Sequence, residues 1–138
     1  MKRSARALAG GLIAVFLLVA ASAAYAAVTG TFSGKTSQKQ SISFRIAHGY
    51  LTHLQFVVHE RCPNGDVWKA SDRGFPKIKI NKFHKFDKRF SSDTINARAR
   101  IKGTVFQQKV TGTVFEGRVI AKEHAFCSGR ATFSLHKQ

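Results

Sequence analysis

The residues of this 138-residue chain that could do chemistry are few: six histidines, three glutamates, four aspartates and two cysteines, against 23 Lys plus Arg. His48, His53, His59, His84, His124 and His136 form no H-x-x-x-H, H-E-x-x-H or H-x-H pattern, so the chain offers no local zinc or iron ligand set. His53 and His59 share one face of an extended stretch but lie about 20 Å apart along it, too far to hold one ion between them. Glu60, Glu116 and Glu123 have no spacing that imposes the two-carboxylate geometry of a glycosidase. No G-x-S-x-G elbow, phosphate-binding glycine loop or dinucleotide fingerprint is present. The sequence therefore names no catalytic residue, no metal and no cofactor.

What remains is charge and a cysteine pair. Formal net charge is +16. Part of it belongs to the first segment, where Lys2, Arg3 and Arg6 precede an apolar run from Leu8 to Val19 and a small-x-small Ala24-Tyr25-Ala26. These are the three parts of a secretory signal peptide, with cleavage expected after Ala26. The Ala-rich second half makes a weak membrane anchor, so no stable membrane insertion is expected once the signal is removed. Removing residues 1–26 takes away three cations and no acid, which lowers +16 to +13, so the excess belongs to the single secreted domain expected over 27–138.

Export places Cys62 and Cys127 in an oxidising compartment, where two cysteines read as one disulfide. Both lie on the apolar parity of their stretches: Leu54, Phe56, Val58 and Cys62 in one, and Cys127, Ala131, Phe133 and Leu135 in the other. Both should point inward. Closing so long a loop is worth about 4 kcal/mol on the chain-entropy account.

The elements that must position these groups are strands. Period-two alternation recurs at Val28–Gly34, Ile42–Ile46, Leu54–Val58, Lys77–Ile80, His84–Phe90, Ile95–Val105, Val110–Phe115 and Ala131–His136. Val119–Phe126 is the one stretch with any helical character. The expected fold class is all-β, an antiparallel meander of roughly eight strands forming a small barrel or sandwich with one disulfide. A two-residue turn at Gln107-Gln108 sets Val105 opposite Val110, Gly103 opposite Gly112 and Ile101 opposite Val114, apolar against apolar throughout. A four-residue loop over Ser91–Thr94 sets Phe90 opposite Ile95 and Phe86 opposite Ala99, and a three-residue loop over Asn81–Phe83 sets Ile78 opposite Phe86. Lys88 then faces inward against Ala97, a misfit that a bulge or a snorkelling stem could absorb. The phrases Val28-Thr29-Gly30-Thr31, Ile101-Lys102-Gly103-Thr104 and Val110-Thr111-Gly112-Thr113 put glycines on inward positions, which marks sharp curvature or, alternatively, a gap that admits a ligand. Glu60 has inward parity, and a strand end open to solvent would accommodate it. Trp68, in a turn-rich stretch, reads as a satellite core residue.

The opening Gly30-Thr31-Phe32-Ser33-Gly34-Lys35-Thr36-Ser37-Gln38, the mid-chain Cys62, Lys77-Ile78-Lys79-Ile80 with Phe83 and Phe86, and the closing Cys127-Ser128-Gly129 with Phe133 resemble a group of small exported β-rich proteins of actinobacteria. The resemblance implies a secreted all-β domain with one disulfide and carries over no catalytic residues.

On these registers the outward residues of three neighbouring strands are Lys77 and Lys79; Lys85, Asp87 and Arg89; and Arg98, Arg100 and Lys102, with Thr111, Thr113 and Phe115 on the next. Asp87 should face Arg98, and Phe115 should face Arg100 within cation–π reach. Seven cations on one face repel one another, and either they solubilise the sheet and guard its edge or they receive a polyanion. The expected function is a secreted, non-catalytic module that binds anionic envelope or matrix polymers through Lys77, Lys79, Lys85, Arg89, Arg98, Arg100 and Lys102. Nucleic acid is disfavoured as that polymer, since only Phe83, Phe106 and Phe115 escape burial to stack on bases. A small-ligand-carrying barrel and a secreted enzyme or enzyme inhibitor are the alternatives.

Overall fold

The structure is a computed structural model that describes residues 28–120 and 125–138; the expected signal peptide and its cleavage site lie outside the described residues. Nine strands form one antiparallel sheet: β1 (Gly30–Lys35), β2 (Ser41–Ala47), β3 (Tyr50–Arg61), β4 (Val67–Asp72), β5 (Ile78–Lys79), β6 (Lys85–Ser92), β7 (Ala97–Phe106), β8 (Lys109–Ile120) and β9 (Ala125–His136). The order is β1-β2-β3-β9-β8-β7-β6, with β4 and β5 both paired to β3. The fold class is as the alternation demands.

One face of every long strand is apolar, and the sheet curls to bury it. Phe32, Phe44, Leu51, Leu54, Ile101, Val110 and Val114 are each at most 1% exposed. Phe44 of β2 meets Phe133 of β9 edge to face at 6.0 Å. Phe75, in the β4–β5 connection, stacks on Phe56 of β3 at 5.5 Å and touches Phe90 of β6 at 4.7 Å, which draws the last strand of the path over against β3. Cys62 and Cys127 are joined, their Cα atoms 4.2 Å apart and both buried, as parity requires.

Two hairpins are fixed by two-residue turns. His48 and Gly49 both have positive φ, 52° and 77°, between paired Ala47 and Tyr50, the type I′ arrangement in which a glycine relieves the strain. The Gln107-Gln108 turn gives the expected pairs Val105–Val110, Gly103–Gly112 and Ile101–Val114. The β6–β7 hairpin departs from expectation. Its turn is Asp93–Asn96, so Phe90 faces Ala99 and Phe86 faces Gly103. Asn96 takes the left-handed conformation (φ 46°), which Asn tolerates better than most residues, and the slip places Phe90 on Phe75 while leaving Ile95 exposed. Lys88 lies opposite Ile101, not Ala97, and stays exposed because β6 is the last strand of its path.

The expected hairpin of Lys77–Ile80 with β6 does not form. Ile78 and Lys79 pair instead with Leu51 and Tyr50 of β3. Asn81 turns the chain away, its Oδ1 accepting from the backbone N–H groups of Phe83 (2.9 Å) and Lys85 (3.0 Å). Val119–Phe126, the one stretch with any helical character, is strand at both its ends: Val119 pairs with Phe126 and Ile120 with Ala125 in the β8–β9 ladder, residues 121–124 lying outside the described residues. Trp68 is no core residue; it is 47% exposed on β4, opposite Glu60.

Gly103 and Gly112 open no gap into the core. A Cβ on Gly103 would stand 2.6 Å from Cζ of Phe86 and one on Gly112 2.7 Å from Cζ of Phe133, so each glycine is roofed by a ring. Curvature, not a ligand gap, is what they serve.

Candidate polyanion-binding face

The ladders of β6, β7, β8 and β9 set the outward side chains in cross-strand rows. Asp87, Lys102, Thr113 and Thr132 form one row, and Arg89, Arg100, Phe115 and Arg130 the next. Lys85 precedes them beside Thr104, and Ser91 and Arg98 follow. Neighbouring strands lie about 4.8 Å apart, so the three guanidinium groups of the Arg89 row belong to one strip roughly 15 Å across. They border a shallow concavity of about 480 Å³ whose walls include Arg98, Phe115 and Ser91.

Lys85, Arg89, Arg98, Arg100 and Lys102 are thus brought together as expected. Lys77 and Lys79 stand apart from that ladder, since β5 pairs with β3; the Lys77 ammonium lies 4.5 Å over the Tyr50 ring. Arg130 is the member that sequence reasoning missed. The parity that turns Cys127, Ala131 and Phe133 inward turns Arg130 outward, and pairing β9 with β8 would have placed it beside Phe115.

Among the described residues Asp87 is the one acid on this face. Its carboxylate faces Lys102, not Arg98, and takes two hydrogen bonds from Arg100 on the diagonal, from Nε at 2.9 Å and from a terminal nitrogen at 2.6 Å. Those bonds hold its carboxyl below the usual carboxylate range, with the nearby charges of Arg100, Arg89 and Lys102 acting in the same sense. Arg100 is thereby fixed in orientation, while Arg89, Arg98 and Arg130 present forks suited to carboxylate, sulfate or phosphate oxygens.

A second charged cluster lies inside, near the disulfide. Glu60 and Glu116 are 0% and 1% exposed, which overturns the solvent-open strand end expected for Glu60. Arg118 on β8 reaches both: its Nε lies 3.0 Å from a Glu60 oxygen, an ion-pair contact, and a terminal nitrogen donates to Glu116. Burial raises the Glu60 carboxyl, with Arg118 pulling it down. Burial, then hydrogen bonding and repulsion from Asp72, pushes Glu116 up to about 8. Neighbouring carboxyls that are both raised by burial are raw material for acid–base catalysis, but sealed side chains meet no substrate. The cluster is a structural one, charged and self-neutralising. Among the described residues no group of three or more His, Cys, Asp or Glu is placed to hold a metal ion.

At the other end of the sheet a recess of about 350 Å³ opens between Val28, Ile46, His48, Ile80 and Val105. Its floor is apolar, from side chains that the core also uses, and Thr29, His48 and His84 add polar groups to its lining.

No protein-family model matches the chain, and no curated protein or solved structure matches it either.

Proposed function

We propose that this protein is an exported, non-catalytic binding module whose β6–β9 outer face holds an anionic polymer of the cell envelope or extracellular matrix. The observation that carries the reading is the row Arg89, Arg100, Phe115 and Arg130, set in a concavity on a face where Asp87 is the one acid among the described residues. Like charges at this density raise the folded state's energy, and a bound polyanion that releases its counter-ions reverses that cost. The half-buried Phe115 ring, between Arg100 and Arg130 in that row, gives the polymer's rings an apolar surface to lie on.

Export supports an extracellular polymer as the partner. The N-terminal segment reads as a signal peptide, and a disulfide joining residues 65 apart suits an oxidising compartment. Retention on a heparin column, measured as the salt needed for elution, tests the proposal. Replacing Arg98, Arg100 and Lys102 by Glu should move elution to markedly lower salt and flatten the salt dependence, with the far-ultraviolet dichroism unchanged. Unaltered retention of that variant would show that the charge acts elsewhere.

A further inference from the structure

Both ends of the rolled sheet expose large apolar side chains, Val67, Trp68, Ile95, Val119 and Phe126 toward the disulfide and Phe83 and Phe106 at the Gly49 end, but the two ends differ in charge. At the disulfide end lie Glu60 and Glu116 in the interior and Asp66 and Asp93 in the turns, while Asp72 and Asp87 lie midway, opposite Phe56 and Lys102. At the Gly49 end no Asp or Glu side chain is found among the described residues. Phe83, on the Asn81–Lys85 turn, is 68% exposed, and Phe106, beside the Gln107-Gln108 turn, is 58% exposed. They border one shallow groove together with Lys109 and His136. Lys82 and Lys85 flank Phe83 in sequence, and the Lys82 ammonium lies 5.2 Å from the Phe83 ring centre.

Neither ring contributes to the core, and exposure on this scale destabilises nothing by its loss. Two large apolar rings on adjacent turn tips, rimmed by cations, are a feature that a soluble surface does not need. Their chemistry matches the interface of a bilayer with anionic headgroups: lysines attracted to the negative surface potential, aromatic rings entering the boundary between headgroup and chain. We propose that the Gly49 end docks reversibly on an anionic phospholipid surface, with Phe83 and Phe106 as the inserting groups and Lys82, Lys85 and Lys109 as the electrostatic contacts. Two rings and a few lysines give reversible attachment, not anchorage. This site rests on different residues from the central rows of the polymer-binding face, with Lys85 at the border of the two.

The test uses protein recovered from the medium of an exporting host. The native indole, Trp68, sits at the opposite end, separated from the tip by about 30 Å of β3. A Phe83→Trp substitution in a Trp68→Phe background therefore reports on the tip alone. Its emission should move to the blue when phosphatidylglycerol vesicles are added, should be quenched by lipids brominated in the acyl chain, and should not respond to pure phosphatidylcholine. The double variant Phe83→Ser, Phe106→Ser should lose about tenfold or more in vesicle co-sedimentation while keeping its heparin elution. Arg98→Glu with Arg100→Glu and Lys102→Glu should keep the blue shift, so failure of the polymer reading and failure of this one are separable. Emission that stays put on phosphatidylglycerol, or double-Ser protein that sediments like the parent, overturns the proposal, and a tip that served a protein partner would give that result.

Discussion

Replacing Glu116 by Gln should stabilise the protein, and the gain should grow with pH. In the folded chain burial, with Asp72 behind it, lifts this carboxyl from its ordinary 4.5 to about 8. At neutral pH the folded protein therefore holds a proton there that the unfolded chain has released. A raised value contributes its full stability below pH 4.5 and loses it as pH rises through 8. Each unit in that window costs about 1.4 kcal/mol, so about 3 kcal/mol is lost by neutrality and about 5 kcal/mol by the top of the window. Gln keeps the shape and the oxygen that accepts from Arg118, puts an N–H where the carboxyl proton was, and does not titrate. The two proteins should match near pH 4 and diverge by about 3 kcal/mol in favour of Gln at neutral pH. Urea unfolding followed by Trp68 fluorescence, disulfide intact, at a series of pH values reads this directly. Repulsion among the surface cations eases as pH rises, but acts alike on both proteins and cancels in the comparison. Glu60, raised by the same burial, keeps a residual slope in the Gln variant. Parallel pH curves, or a variant less stable than the parent at neutral pH, would refute the reasoning.

Two further outcomes follow from the geometry. Gly112→Ala brings a methyl against the Lys102 carbonyl and within 2.7 Å of the Phe133 ring, one contact with backbone and one with a packed core side chain, and should cost about 2 to 3 kcal/mol in urea unfolding. Asp87→Asn removes the one acid that the described residues place on the outer face and frees the Arg100 fork, so the variant should need more salt to leave heparin than the parent, with little change in melting temperature because the pair is exposed.

How much of this was legible in the sequence depends on what parity can and cannot distinguish. The Gln107-Gln108 hairpin was readable because apolar alternation on both sides meets in phase at one turn. The β6–β7 slip was not, because moving its turn from Ser91–Thr94 to Asp93–Asn96 shifts partners by an even number and leaves every residue on its own face. For the same reason the outward cations of β6 and β7 kept to one face although every β6 partner moved by four places, Asp87 coming to face Lys102, while Lys77 and Lys79 left that face because β5 pairs with β3. β4 gave no signal, since Ala70 is its one fully buried residue. Glu60 had the right parity, but its partner lies on β8, and no local pattern announces that the sheet curls until β3 and β8 meet at that end. Arg130 was legible in principle and needed one more ladder to be drawn.

Keeping Glu116 where Gln would be more stable poses a question that the charge distribution helps to answer. A buried ion cluster is poor evidence for stability, since apolar residues of similar volume often do as well. Here its effect on the exterior is plain: Glu60 and Glu116 are withdrawn from the surface, and Glu116 carries a proton at neutral pH, so neither offsets the cations of β6, β7 and β9. The remaining acids among the described residues lie midway or toward the disulfide, and the tip with Phe83 and Phe106 is left cationic. The charge separation along the sheet would turn that tip toward an anionic surface before any contact forms. If the proton on Glu116 is what keeps the interior silent, Glu116→Gln should leave heparin elution at neutral pH unchanged while it changes stability. A shift in elution would mean that the cluster is felt outside and that the surface charge cannot be read from the exposed residues alone.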